Sequence, residues 1–176
     1  MMIIVEGPDG TGKTTLCKKI AEKYSIKYYK ESLSYQERLS PDYDGYFHYF
    51  ELVNMIYHSK EKMVCDRLHL GEFVNPLIYK DGRRPLTIKE INEIEFSVQD
   101  EAILISTTSN DNFIYNSLQN RGDDVAKIEN VRYMKFLYDH ITELSNIKNK
   151  IIWDPSEDID YKKIFKKLDV FFKKNN

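Results

Sequence analysis

The sequence contains little cysteine, and this shortage excludes a disulfide-stabilised secreted protein. Its 176 residues include only Cys17 and Cys65, which lie far apart and lack the spacing of a metal-binding pair. We therefore expect a reducing, cytoplasmic compartment, and a chain that begins directly on a strand leaves no room for a signal peptide. The four histidines also lack the spacing of metal ligands, so we interpret them as structural.

The sequence also lacks a long apolar run and an excess of charge of either sign. No apolar stretch approaches the ~20 residues of a membrane-spanning helix, so no membrane partner is expected. The net charge of −2 does not suit a protein that binds a nucleic-acid polymer, but it leaves small charged metabolites open as ligands. The length and the hydrophobic content of 41% predict one domain over residues 1–176 with a core of its own.

The clearest motif stands near the start, where an apolar run passes directly into a glycine-rich loop. The segment from Gly7 to Thr14 matches G-x-x-x-x-G-K-[ST] at every defined position, and a helix-compatible stretch follows it. Closely spaced glycines let backbone N–H groups surround phosphate oxygens, and the helix N-terminus adds its positive dipole end. We assign binding of a nucleoside triphosphate to Gly7, Gly10, Thr11, Gly12, Lys13, Thr14 and Thr15.

Three side chains within this loop have separate expected roles. Lys13 is expected to reach the outer phosphates as a catalytic residue, and the Thr14 hydroxyl to bind Mg²⁺. Asp9 places a negative charge near the triphosphate, which is unfavourable unless it faces a metal or a hydroxyl. A sugar hydroxyl of a second substrate is therefore its expected partner. A chance match in a strand-to-helix turn is the alternative, and the strand, loop and helix in the required order argue against it.

Short apolar segments alternate with helical patterns along the whole chain. After a first strand ahead of Gly7, the predicted strands are residues 25–30, 63–66, 102–105 and 150–154. Helices are predicted over 44–59, from the capping box at Thr87, over 110–120, over 128–144 and near the end, whereas 67–85 is predicted to be irregular. The pattern favours a three-layer α/β fold whose five-stranded, mostly parallel sheet is flanked by helices. The ligand is expected at the carboxyl ends of the strands.

Asp66 and Arg67, at the end of the third strand, form the second candidate pair. A carboxylate there can hold Mg²⁺, and an arginine can bind a phosphoryl group through two hydrogen bonds, although a surface ion pair is the simpler interpretation. Glu72 is either a further acid of this site or a salt-bridge and capping residue. Arg121 stands in a predicted lid at about 110–128 and is expected to close over the transferred group, unless it is an ordinary exposed arginine.

Several aromatic residues precede Asp66 on the predicted helix over 44–59. Tyr43, Phe47, Tyr49 and Phe50 crowd its first half, and one of them is expected to stack on a nucleobase. For any single one, packing in the core is the alternative. We take Phe47 and Phe50 as the candidates for base contact.

The order of these features resembles the thymidylate kinase and deoxynucleoside kinase branch of the P-loop kinases, and within it the small viral-type members. The resemblance runs over nearly the whole chain and implies the three-layer P-loop kinase fold with a lid segment. It also implies ATP as phosphoryl donor, Mg²⁺ as cofactor and the host cytoplasm if the chain is viral. It rests on the loop over 6–15, on Asp66-Arg67 and on Arg121-Gly122-Asp123-Asp124.

The resemblance also implies roles for single residues. Asp9 would meet the sugar of the acceptor nucleotide, Asp66 would assist the metal, and Arg67 would grip the acceptor phosphate. Pro155, in Asp154-Pro155-Ser156 after the fifth strand, would lie by the adenine of ATP. Members without an arginine in the loop usually carry one in the lid, and here Gly10 is accompanied by Arg121. Such proteins are commonly dimers, so a homodimer is a further expectation.

Three segments depart from the usual pattern of this branch. Lys30-Glu31-Ser32 replaces Arg-Glu-Pro, no base-reading arginine is evident around Phe47 or Phe50, and His69-Leu70-Gly71-Glu72 replaces the usual sequence after the Asp-Arg pair. These departures bear on the choice of base more than on the reaction.

The function predicted from the sequence is a kinase that transfers the γ-phosphate of ATP to a deoxynucleoside monophosphate, with dTMP as the first choice. Lys13, Arg67 and Arg121 are the catalytic candidates, and Thr14 and Asp66 the metal ligands. Asp9, Arg38, Phe47, Phe50, Asp66, Arg67 and Glu72 are the candidates for substrate binding. Arg38 is expected to help Arg67 to hold the acceptor phosphate.

Two other classes of function stay open at this point. A deoxynucleoside kinase would phosphorylate an uncharged 5′-hydroxyl and need a carboxylate base, for which Glu31 is the candidate. A nucleotide-binding switch or ATPase would transfer nothing, but the sequence has neither Asn-Lys-x-Asp nor a strand ending in an Asp-Glu pair. A purely structural relative is disfavoured because nothing structural requires Lys13 and Thr14 together.

Overall fold

Five parallel strands form a single sheet in the order β2-β3-β1-β4-β5. The description comes from a computed structural model and covers residues 1–31, 33–122 and 127–174. The strands are β1 (Met2–Glu6), β2 (Lys27–Lys30), β3 (Met63–Asp66), β4 (Ile103–Thr107) and β5 (Asn149–Trp153). The helices are α1 (Lys13–Tyr24), α2 (Tyr35–Arg38), α3 (Gly45–Ser59), α4 (Gly71–Tyr79), α5 (Ile88–Glu95), α6 (Asp111–Gln119), α7 (Ile128–Leu144) and α8 (Lys162–Lys174).

Both faces of the sheet are apolar and covered by helices. Ile4, on β1, packs with buried residues of α3, α4, α5 and α7 on one face. Its neighbours Ile3 and Val5 pack with Leu16 of α1 and Ile164 of α8 on the other. Because side chains alternate between the two faces along a strand and both faces are covered, the inner strands β1, β3 and β4 are nearly continuous apolar runs. The predicted α/β class and five-stranded sheet are confirmed, with every described strand pair parallel.

The segment after Arg67 is more regular than its sequence predicts. The prediction of irregular structure over 67–85 is wrong for residues 71–79, which form α4 with Pro76 inside it. Proline has no N–H to donate to the carbonyl of Glu72, four residues earlier. The backbone N–H of Leu86 donates to that carbonyl instead, at 3.1 Å. A tertiary hydrogen bond thus replaces the one that proline removes.

The predicted helix starts at Asp44 and Thr87 are confirmed. The Asp44 side chain accepts hydrogen bonds from the N–H groups of Tyr46 and Phe47, and Thr87 and Glu90 form a complete capping box. No helix in the part of the chain that is described is long and apolar enough to cross a membrane.

Gly7 and Gly12 allow a stability test within one loop. Both have positive φ, but a Cβ on Gly7 would lie 2.2 Å from the Thr107 carbonyl oxygen, whereas one on Gly12 would have nothing within 4 Å. We expect Gly7→Ala to lower the free energy of unfolding by roughly 3 kcal/mol, and Gly12→Ala by about 1 kcal/mol, the left-handed backbone term alone. Urea unfolding without nucleotide measures both, and equal losses would contradict the close contact.

Candidate active site

A cavity of about 510 Å³ opens at the carboxyl end of the sheet, beside the loop that connects β1 to α1. Six cationic and four acidic residues from different parts of the sequence line it. The cations are Lys13, Lys30, Arg38, Arg67, Arg83 and Arg121, and the acids are Asp9, Glu31, Asp66 and Glu72. A cavity with this lining suits a ligand that carries several negative charges.

Lys13 is held back over its own loop. Its Nζ donates to the Pro8 carbonyl at 2.6 Å and lies 3.7 Å from Asp9 Oδ1. Burial lowers the pKa of Lys13 from 10.5 to about 8, against the opposing effect of Glu6 and Asp66. The loop is fixed from below by Thr11, whose hydroxyl donates to the Pro8 carbonyl at 2.7 Å and lies 2.6 Å from Thr107 Oγ1.

Asp66 receives two hydroxyl groups from neighbouring elements. Thr14 Oγ1 donates to Asp66 Oδ2 at 2.6 Å, and the Tyr28 hydroxyl donates to the same oxygen at 3.0 Å. In the described ranges no cluster of three or more His, Cys, Asp or Glu residues suits a metal ion. One hydroxyl and one carboxylate at the rim of a phosphate loop nevertheless fit Mg²⁺, which binds few protein ligands and takes phosphate and water oxygens for the rest.

Arg67 faces Asp9 across the mouth of the loop, where their side chains form an ion pair. Its backbone has φ 67, in the left-handed region that non-glycine residues rarely occupy. The N–H of Arg67 donates to the Val5 carbonyl at 3.0 Å, and Glu6 Oε1 accepts from the N–H of Leu68 at 2.7 Å. Burial raises the pKa of Glu6. The turn that carries Arg67 is thus fixed to the end of β1.

Glu72 lies in the first turn of α4 and is buried between two arginines. It forms ion pairs with Arg38 of α2 and, at 3.1 Å, with Arg83 from the segment after α4. Arg38, the residue expected to help hold the acceptor phosphate, lines the cavity. The two ion pairs give Glu72 two arginine partners and bring in Arg83, which the sequence leaves unassigned.

Glu31, the candidate base of the alternative function, also lines the cavity. Its carboxylate lies 2.7 Å from His48 Nε2 and accepts a hydrogen bond from the N–H of Leu33 at 3.1 Å. His48 belongs to α3, so this contact connects the end of β2 to that helix.

Phe47, Phe50 and Pro155 do not line the cavity. Phe47 and Phe50 are 62% and 38% exposed and project from the outer face of α3. Tyr49, on the same helix, is 1% exposed and lines the cavity. The structure therefore corrects the choice of aromatic residue near this space. Pro155 follows β5 at the same edge of the sheet but outside the cavity.

Arg121 does reach the cavity from the turn after α6. Its N–H donates to the Leu118 carbonyl at 3.0 Å, and its side chain is exposed. The predicted lid at 110–128 contains α6 and the start of α7. Asp123 and Asp124 of that lid lie outside the described residues.

Several residues at the site could not be predicted from the sequence pattern. Gly71, Asn75 and Tyr79 recur every four residues on one face of α4, a helical spacing obscured by Pro76. Tyr28 reaches Asp66 from the neighbouring strand, a contact that depends on strand order. Arg83 cannot be told apart from Arg84 by sequence alone.

Comparison with known proteins identifies the fold. No family model matches the sequence, and no curated protein matches it significantly. The YorR protein of Bacillus subtilis, in complex with phosphorylated GDP, is similar at a TM-score of 0.75 and 22% identity over 98% of this chain and 94% of that one. Deoxyadenosine kinase of M. mycoides with bound dATP gives 0.60 and 16% over 100% of both chains. Shikimate kinase of Aquifex aeolicus gives 0.55 and 15% over 96% of both. The chain has the fold of the P-loop kinases.

Proposed function

We propose that the protein is an ATP-dependent deoxynucleoside monophosphate kinase, similar to thymidylate kinases, with dTMP as the first candidate acceptor. The observation that carries the proposal is the cavity itself. Its lining includes the phosphate loop, the Thr14–Asp66 pair and a second group of cations, Arg38 and Arg67. A donor triphosphate needs the first group, and an acceptor that already carries a phosphate needs the second.

In the proposed reaction an oxygen of the acceptor phosphate attacks the γ-phosphorus of ATP. The bond from that phosphorus to the β,γ-bridging oxygen breaks, and ADP leaves. Lys13 moves from the Pro8 carbonyl to the β- and γ-phosphates. Its ammonium group thereby exchanges a neutral hydrogen-bond acceptor for a negatively charged one. Thr14 and Asp66 would hold Mg²⁺, which when bound neutralises phosphate charge. The acceptor oxygen is already ionised, so no general base is required.

Positions in the cavity support the remaining proposed roles. Arg67, with Arg38, binds the acceptor phosphate, and its ion pair with Asp9 orients it in the absence of ligand. Asp9 is then free to accept from a sugar hydroxyl once the phosphate has drawn Arg67 away. Arg121 closes over the transferred group from the lid side. Bound nucleotides in two of the structures with this fold support a nucleotide ligand.

A release assay for ADP tests the proposal. With Mg²⁺ and ATP present, we expect fast turnover on at least one deoxynucleoside monophosphate and slow turnover on free deoxynucleosides. Activity limited to free nucleosides would contradict the proposal, and so would ATP hydrolysis that no nucleotide accelerates.

One observation favours a second candidate, a deoxynucleoside kinase. Glu31 lies at the end of β2 in the cavity with His48 as a partner, so a carboxylate is present where a 5′-hydroxyl would need a base. The fold shared with a deoxyadenosine kinase supports the same candidate. For this reaction Glu31→Gln would lower turnover by about 10²-fold or more, whereas the monophosphate kinase needs no base and would keep most of its rate.

A further inference from the structure

Arg83 and Arg84 are adjacent in sequence and differ sharply in surroundings. The side chain of Arg83 is 8% exposed and lines the cavity. That of Arg84 is 57% exposed and forms an ion pair at the surface with Glu90, at 2.9 Å. An exposed ion pair contributes little to stability, so Arg84 can serve as a control for the buried Arg83.

Arg83 is held by a carboxylate on each side. Its Nε and Nη2 donate to Asp81 Oδ2 at 2.9 and 2.7 Å, and its Nη1 donates to Glu72 Oε2 at 3.1 Å. The other oxygen of Glu72 accepts from Arg38 Nη1. Asp81, Arg83, Glu72 and Arg38 thus form a row of alternating charges, which we call the charge row. It ends at Arg38, in the cavity.

The backbone fixes the same row. The N–H of Leu86 donates to the Glu72 carbonyl that Pro76 leaves without its helical partner. Residues 80–86 are therefore attached to α4 at Glu72 twice, once through Arg83 and once through Leu86. This attachment sets the distance from Arg83 to the Glu72 carboxylate.

Arg38 depends for its position on residues of other elements, Glu72 of α4 and Tyr49 of α3. It ends α2, a helix of four residues that is too short to be stable alone. Its guanidinium is held through Glu72, a residue of a different element. A buried carboxylate that loses one of two cations binds and orients the other differently, because its charge is no longer balanced.

We propose that Arg83 is a positioning residue for the acceptor site: it fixes the Glu72 carboxylate, which sets Arg38 for the acceptor's phosphate. The inference rests on the proposed function. Arg83 itself does not contact the acceptor, since its donors face Asp81 and Glu72. Arg84, one residue later, has no part in this arrangement.

The test is steady-state kinetics of Arg83→Gln and the matched control Arg84→Gln on the best monophosphate. Arg83→Gln is expected to raise KM for the acceptor about tenfold, the size expected for one charged hydrogen bond, with KM for ATP and kcat changed less than about threefold. Arg84→Gln is expected to leave all three constants near wild type. Equal effects of the two variants, or an equal rise in KM for ATP, would overturn the proposal.

A double-mutant cycle separates positioning through Arg38 from general loss of structure. In an Arg38→Ala background, Arg83→Gln should add less than about twofold to the acceptor KM, because the group that it positions is gone. Fully additive effects would overturn the proposal. If Arg83→Gln does not fold, Asp81→Asn loosens Arg83 from its other side and is expected to give the same selective rise. A wild-type protein without activity on any monophosphate would instead refute the proposed function.

Discussion

Lys13→Met is expected to reduce turnover by at least about 10³-fold while making the nucleotide-free protein more stable near pH 7. The activity loss follows because the variant lacks the only loop cation placed to follow the β- and γ-phosphates into the transition state. The stability gain follows because the native side chain is a buried ammonium group. Burial disfavours its charged form, as its pKa of about 8 indicates.

The direction of the pH dependence follows from that pKa. Between about 8 and 10.5 the unfolded chain holds the Lys13 proton and the folded chain does not, so this residue makes stability rise with pH in that range. Near pH 7 both states are charged, and the difference between 10.5 and 8 corresponds to roughly 3 kcal/mol against folding. Methionine removes this term but also the hydrogen bond to Pro8, about 1 kcal/mol, so the expected net gain is about 2 kcal/mol.

Urea unfolding near pH 7 and near pH 10, without nucleotide, measures this effect. The advantage of Lys13→Met should shrink at the higher pH, where the native lysine becomes neutral. Lys18→Met is the control, because Lys18 is exposed on the same helix and should change neither stability nor turnover much. A loss of both activity and stability in Lys13→Met would contradict the assignment of Lys13 as a catalytic cation whose burial destabilises the fold.

Arg121→Ala is expected to lower kcat by about 10³-fold, the scale of an arginine that stabilises charge during phosphoryl transfer. The KM for ATP should change little, since an interaction made only in the transition state contributes little to binding of the ground state. The side chain is exposed at the edge of the cavity, so unfolding free energy should stay within about 0.5 kcal/mol of wild type.

Arg132→Ala is the matched control for the lid arginine. Arg132 is also exposed, and it pairs with Asp111 at 2.9 Å outside the cavity. Its loss should leave kcat unchanged. A near wild-type rate for Arg121→Ala would reject the catalytic role. An equal fall in kcat for the two variants would indicate a general effect on the structure of this region rather than a contact of Arg121 with the transferred group.

The parts of the fold that sequence could predict are those with local causes. The phosphate loop is set by the glycines at positions 7, 10 and 12, and β3 by a short apolar run that ends in Asp66. The helix α4 could not be predicted from local pattern, because Pro76 normally ends a helix and its replacement hydrogen bond comes from Leu86. Tertiary structure, rather than propensity, decides that segment.

The residues of the candidate site also fall into those that the sequence could predict and those that it could not. Lys13 and Thr14 begin α1 after the loop at the end of β1, and Asp66 and Arg67 stand at the end of β3. Because β1 and β3 are neighbouring parallel strands, topology alone brings these residues together. The choice among aromatic residues could not be made from sequence, since Tyr49 and Phe50 are consecutive on one helix yet Tyr49 is buried and Phe50 is exposed. Pairings such as Glu72 with its two arginines likewise depend on contacts between elements distant in sequence.

The central claim is that the protein transfers a phosphoryl group from ATP to an acceptor that already carries a phosphate, and that the reaction takes place in this cavity. The most direct measurement mixes ATP, Mg²⁺, thymidine and dTMP in one tube with the protein and identifies the products by anion-exchange chromatography, and then repeats this with the other deoxynucleoside pairs. The account predicts that ADP appears together with a deoxynucleoside diphosphate in equal amounts, while thymidine or its counterpart is unchanged. Conversion of the nucleoside to its monophosphate, with no diphosphate formed from any pair, would contradict it.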